Sequence, residues 1–192
     1  MKHVRLFSLF ALMLLAALPL FGQRHHDPLT QPEIDKIRDA SWEPRQRLPL
    51  YVEFARARLV KMEEVRNDPK TKNRAQQTHD LLEDFQQLYD ELNDNIDTYV
   101  DRRNDIRKPL KLVIDADTEF QAKLRALKSA ADVPPAEAQQ YEFVLTNAIE
   151  TLDASAEDHK KLLSDQEEQA KRKKLITDPN AKVGSAPEEG RK

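Results

Sequence analysis

The chain has 192 residues, of which 34% are charged and 6% aromatic, with a mean hydropathy of -0.75 and a formal net charge of -3. That length suits one domain with a single core, and a weakly acidic body gives no electrostatic reason to bind nucleic acid. Cysteine is absent and no glycine lies between Gly22 and Gly184, which excludes disulfides, thiolate nucleophiles, cysteine zinc sites, phosphate-cradling glycine loops and nucleophile elbows from the body.

In chain order, residues 1–22 read as a signal peptide. Lys2, His3 and Arg5 give a basic start. Residues 6–18 form an apolar stretch of about 13 residues, short for a bilayer span. Pro19 and Gly22 then precede a polar run. Cleavage is expected between Gly22 and Gln23. Leu20 is a poor residue at that site, so a cut after Ala17 and an uncleaved anchor are the alternatives. Each places the body outside the cytoplasm, in the periplasm or secreted, with no stable membrane span once the leader is removed.

Residues 28–174 read as a helical bundle domain. Thr30-Gln31-Pro32-Glu33 is a capping box with proline in the first turn, and it opens a short helix carrying Ile34, Ile37 and Ala40. Ser41-Trp42-Glu43-Pro44 interrupts that helix. The next carries Leu48, Tyr51, Val52, Ala55, Leu59 and Met62 on one face and runs to about Val65. Pro44 and Pro49 make its opening irregular, and Asn67-Asp68-Pro69-Lys70 turns the chain.

The longest periodic stretch follows, over residues 73–130. Its seam is Leu81, Phe85, Leu88, Leu92, Ile96, Tyr99, Arg103, Ile106, Leu110, Val113, Asp117, Phe120, Leu124 and Leu127, a spacing of three or four that marks one helix face. The phase survives Pro109, and residues 105–108 and 110–113 hold no Gly, Asn or Ser to reverse the chain. The expectation is one continuous helix of roughly 87 Å, kinked at Pro109. The alternative is a reversal there, giving an ordinary four-helix bundle. Pro134-Pro135 ends the stretch. A last helix carries Ala138, Tyr141, Leu145, Ala148, Leu152, Ser155, His159, Leu163 and Gln166 and fades near Lys174. Residues 175–192 read as a disordered tail.

The fold class expected is therefore all-α: an elongated antiparallel bundle of three to four helices around a long helix kinked at Pro109. Heptad-like, coiled-coil spacing is its only periodicity. Folding about residues 69–70 sets Leu59 opposite Leu81 and Val52 opposite Leu88. Folding about residue 133 sets Leu152 opposite Val113, and Leu145 opposite Phe120 or Asp117. Arg103 and Asp117 are charged members of the seam, roughly 21 Å apart on one helix and unable to pair with each other. Buried charges need partners. The register offers Asp35 or Asp39 to Arg103, and polar groups near Thr146 or Asn147 to Asp117.

No catalytic, cofactor-binding or metal-binding residue is assigned from the sequence, and no cofactor is expected. A di-iron bundle needs inward Glu-x-x-His pairs, but Gln76 stands three places before His79 and Ala156 three before His159. His159 reads as a boundary residue. His25-His26-Asp27 reads as a solvated start, and the stripe Asp90, Asp94, Asp97, Asp101 as a solvated face. Both keep a loose divalent-cation site as the alternative. Lys171-Arg172-Lys173-Lys174 suits a helix C-terminus, where cations meet the negative end of the helix dipole, with anionic lipid or envelope polymer as the alternative partner.

Leu29-Thr30-Gln31-Pro32-Glu33 followed by long charged helices resembles the small periplasmic chaperone and metal-stress proteins that carry an LTxxQ signature; here the fifth residue is Glu33. The resemblance implies an α-helical hairpin that dimerises into a cradle protecting unfolded envelope proteins. The chain also resembles other exported all-helical bacterial proteins, which implies no activity. The function expected is a non-enzymatic interaction or scaffold protein of the bacterial envelope, chaperone-like in action. The alternative is a weak divalent-metal-binding envelope stress protein. Its partner would be another protein or a second copy, the latter burying an apolar stripe such as Leu82 and Tyr89.

Overall fold

A computed structural model describes residues 27–131 and 133–177. The expected signal peptide, His25-His26 and residues 178–192 lie outside the described residues. Six helices and no strand occur among the described residues: α1 (Gln31–Asp39), α2 (Pro44–Asn67), α3 (Arg74–Asp101), α4 (Arg107–Lys128), α5 (Pro135–Ala138) and α6 (Glu142–Thr177). The protein is all-α. None of these helices is long and apolar enough to cross a membrane.

Four helices form the bundle. The α2–α3 pair is antiparallel, with Arg47 Nε 2.8 Å from Asn95 Oδ1 and Arg58 Nε 3.7 Å from Asp84. The α4–α6 pair is antiparallel too, joined by Gln121 to Asp153 at 2.8 Å and Lys111 to Glu167 at 2.9 Å. These hairpins lie side by side. α2 runs parallel to α4, through Arg56–Glu119 and Lys123–Glu63, and α3 runs parallel to α6, through Asn93–Ser155. Around the square the order is α2, α3, α6, α4, so α3 and α4 face each other across the core. Their side chains meet there: the rings of Phe85 and Phe120 pack edge to face at 5.4 Å. α1 packs on α2.

The seam residues fill this centre. Leu88, Leu92, Leu110, Val113, Phe120 and Leu124 are fully enclosed. Burying each such side chain is worth about 1.5–3 kcal/mol, and this burial is the main force holding the bundle. Leu82 and Tyr89 are enclosed as well. They are not left over for a second copy, because α3 is covered by α2, α6 and, across the core, α4, a wider arc than one seam allows.

The long kinked helix is corrected by the structure. The chain reverses over residues 102–106, between α3 and α4. Arg103 takes φ 56°, the left-handed region that usually calls for glycine. Its N–H bonds to the carbonyl of Val100 at 2.8 Å and that of Asn104 to the carbonyl of Tyr99 at 2.9 Å. This is the double closure of a Schellman cap, with arginine in glycine's place. Gln166 of α6 holds the turn from outside, accepting from Ile106 N–H at 3.1 Å and donating to Asn104 O at 3.2 Å. Pro109 is the third residue of α4, where an N–H would have no intrahelical partner, so it starts a helix instead of bending one.

Two other non-glycine residues take left-handed backbone, Ser41 after α1 and Asn73 before α3. The break after α1 is held by Arg47, which donates to the carbonyls of Ile37 and Ser41 at 3.2 Å each. Trp42 lies over the Arg47 guanidinium at 4.7 Å and over that of Arg102 at 5.0 Å, fastening this break to the end of α3. The chain near Thr30 is held by Arg58, which forks onto both Glu33 oxygens at 2.9 and 2.6 Å and onto Pro28 O at 2.6 Å.

The α2–α3 register falls within about one residue pair of the expected one. The α4–α6 register does not. Asp117 faces His159, and Leu152 lies level with the region of Gln121 and Arg125, far from Val113. The link is not a simple turn at residue 133. It holds α5 and a further turn before α6 begins at Glu142. α6 also continues past Lys174 to Thr177, so the first three residues assigned to the tail are helical.

Candidate functional site

The polar group in the core is built by three helices. Asp117 of α4 is 1% exposed and His159 of α6 is 4% exposed. His159 Nδ1 lies 2.9 Å from Asp117 Oδ2, and Tyr89 of α3 donates its hydroxyl to Asp117 Oδ1 at 2.8 Å. A carboxylate only accepts, so the ring proton sits on Nδ1 and points at Asp117. Burial pushes the Tyr89 phenol far above its ordinary value and the Asp117 charge adds to this, while a bond from Ser155 opposes it. Tyr89 therefore remains a donor at any physiological pH. Each member satisfies another, as buried polar groups must.

The network opens on one side. A cleft of about 310 Å³ between α3 and α6 is lined by Asn93, Ile96, Asp97, Val100, Ser155, Asp158, His159 and Leu162. His159 Nε2, opposite the nitrogen on Asp117, takes part in no hydrogen bond among the described residues and is not sealed from solvent. Asn93 donates its amide to Ser155 Oγ at 3.0 Å, and its own Oδ1 is shut from bulk solvent without a donor. Asp97 and Asp158 stand exposed along its margin.

The seam charges behave differently from each other. Asp117 is buried as expected, but its partners are Tyr89 and His159 instead of groups near Thr146 or Asn147. Arg103 is exposed in the reversal and does not meet Asp35, which pairs with Arg38 at 2.8 Å. Reading the seam straight through the reversal placed a turn residue in the core. His159, expected at the boundary, is buried instead, and the second polar residue on the facing seam is the signal that joins it to Asp117.

The stripe Asp90, Asp94, Asp97, Asp101 divides. Asp90 and Asp94 flank a surface hollow beside Asp27 and Leu29, whereas Asp97 belongs to the cleft. Burial, then Asp94 and Glu91, pushes the Asp90 carboxyl above its ordinary value. No three carboxylates of the stripe converge. The group that does converge is elsewhere on α3: one ligand atom from each of His79, Asp80 and Glu83 lies within 4.8 Å of the others. His79 Nδ1 is 3.5 Å from Asp80 Oδ1 and 3.7 Å from Glu83 Oε2, too long for hydrogen bonds.

No family model, curated protein or solved structure matches this chain.

Proposed function

We propose that the protein is an exported, non-enzymatic interaction protein of the bacterial envelope, chaperone-like in action. The leader-like residues 1–22 and the likeness of residues 29–33 to the LTxxQ signature support export and envelope work. The observation that carries the reading is the far end of α6. Gln166 clips the α3–α4 reversal, and the helix runs on to Thr177, about 16 Å further at 1.5 Å per residue. That overhang shows Leu175 and Ile176 to solvent directly after the basic run from Lys171 to Lys174. At the other end of the same helix Phe143 is 85% exposed. Apolar side chains beside cations suit a grip on unfolded chain carrying apolar and acidic residues. The test is light scattering from an unfolding client protein. Near-stoichiometric suppression is expected, weakened in Leu175→Asp with Ile176→Asp at unchanged melting temperature. Aggregation untouched by the wild-type chain would sink the reading.

A second reading, a divalent-metal-binding envelope protein, is favoured by His79, Asp80 and Glu83. Two ligands each about 2.0 Å from a tetrahedral zinc are roughly 3.3 Å apart, near the separations in this group. A zinc titration followed by melting is decisive. The melting temperature should rise in the wild type and not in His79→Ala, and no rise at millimolar zinc rejects the reading.

A further inference from the structure

The basic run near the end of α6 does not stand alone. Lys171 and Lys174 follow Glu167 at spacings of four and three, which puts all three on one helix face, and Leu175 falls four places after Lys171. That face meets α4, where Lys111 Nζ lies 2.9 Å from Glu167 Oε1. Lys108, Lys111 and Leu112 share a face of α4 by the same spacing. The four lysines are exposed, Leu112 and Leu175 are each 53% exposed, and Ile176 is 82% exposed. Lys111 holds the Glu167 carboxyl below its ordinary value, and Lys171 and Arg107 add to the effect, so three cations crowd one acid. The acids nearby are already engaged: Asp105 by Arg107 and Glu168 by Arg172. Asp115, a turn further along α4, ends the basic stretch.

We infer that this α4–α6 surface docks on an anionic lipid bilayer, with its lysines on phosphate headgroups and Leu112, Leu175 and Ile176 at the boundary between headgroup and acyl chain. Lysines gathered from two helices repel one another, and an anionic surface relieves that repulsion. The chain as a whole carries -3, so the same attraction turns this basic corner toward the lipid and the acidic remainder away from it. A lysine is a point charge on a flexible stem, which suits headgroups of no fixed geometry and keeps the charge at their level while apolar neighbours sink. Exposed aliphatic side chains on both helices favour a bilayer over a soluble polyanion, which has no apolar phase to receive them. No described helix is long and apolar enough to cross a membrane, so the contact is with the bilayer surface. Leu175 and Ile176 are shared with the proposed client grip, whereas Lys108, Lys111 and Leu112 are not, and variants there separate lipid docking from chaperone-like action.

The experiment is vesicle co-sedimentation of the chain from Gln23 onward, which keeps every described helix and leaves out the apolar leader that would bind lipid by itself. Vesicles of phosphatidylcholine mixed with phosphatidylglycerol are compared with vesicles of phosphatidylcholine alone. Binding to the mixed vesicles only is expected, weakening as sodium chloride is added. Lys108→Gln with Lys111→Gln should lower the affinity about tenfold, and Leu112→Gln about threefold, both at unchanged melting temperature because these side chains are exposed. Suppression of client aggregation should be the same in the lysine variant as in the wild type. Equal binding to both kinds of vesicle, no binding to either, or full affinity in the lysine variant overturns the assignment. So does undiminished binding by Leu112→Gln, which would leave headgroup charge without insertion. Loss of client suppression in the lysine variant with vesicle binding retained would give the surface to an acidic protein chain instead.

Discussion

At the scale of single residues, the core separates polar groups that are satisfied from those that are not. Asp117 holds two donors, and removing either leaves a buried carboxylate short of a partner. Tyr89→Phe keeps the ring, whose centroid is 5.9 Å from that of Phe85, and deletes only the hydroxyl. It is expected to cost about 1–3 kcal/mol in urea unfolding at neutral pH. Thr78 gives the opposite result. It is fully buried and its hydroxyl has no partner. Thr78→Val keeps the shape and removes an unsatisfied group, so stability should rise by about 1 kcal/mol in the same measurement. A loss at Thr78→Val, or no cost at Tyr89→Phe, would show that the polar accounting of this core is wrong.

At the scale of helices, the reversals are made without glycine. Left-handed backbone costs an L-residue about 1–2 kcal/mol, and Arg103 bears that cost in the cap between α3 and α4. Its side chain is exposed, so the position asks only for backbone. Arg103→Gly should therefore stabilise the protein by about 1 kcal/mol, although glycine in a helix interior would destabilise. Pro109 is the matching test at the start of α4. Pro109→Ala should alter stability by well under the roughly 3 kcal/mol that a proline inside a helix costs, because no backbone bond is missing there. Thermal melts of the two variants distinguish a capped reversal from a kinked continuous helix.

At the scale of the whole molecule, two carboxylates bind the outlying segments to the bundle. Glu33 joins α1 and the chain before it to Arg58 of α2; Glu137 joins α5 to Arg74 and Arg66. Burial pushes the Glu33 carboxyl up, but bonds from Arg58 and from Thr30 outweigh it and hold the group below its ordinary 4.5. The Arg74 guanidinium holds Glu137 below the same value. A lowered carboxyl adds stability that is fully present above its unfolded value and is lost as pH falls through its folded value. Stability should be level down to about pH 5 and decline progressively below about pH 4.5. Arg58→Met, which removes the partner of Glu33, should lower the neutral-pH melting temperature and flatten the acid decline. An acid slope unchanged from wild type would mean that other carboxylates govern it.

The sequence by itself determined the all-α class, the start of α1, the interruption at residues 41–44, the turn after α2, half of the buried positions of α3 and most of those of α4. These follow from local chemistry: capping side chains, prolines and a three-to-four spacing of apolar residues act over one or two turns. The tertiary structure alone decided the reversal at Arg103, because a left-handed arginine is unfavourable locally and is held by bonds from Gln166 some sixty positions away. It decided the α4–α6 register too, since the residues of the intervening link do not state how many of them the turn consumes. The Asp117–His159–Tyr89 network depends on both, for three helices must arrive at one level before the buried carboxylate meets its two partners.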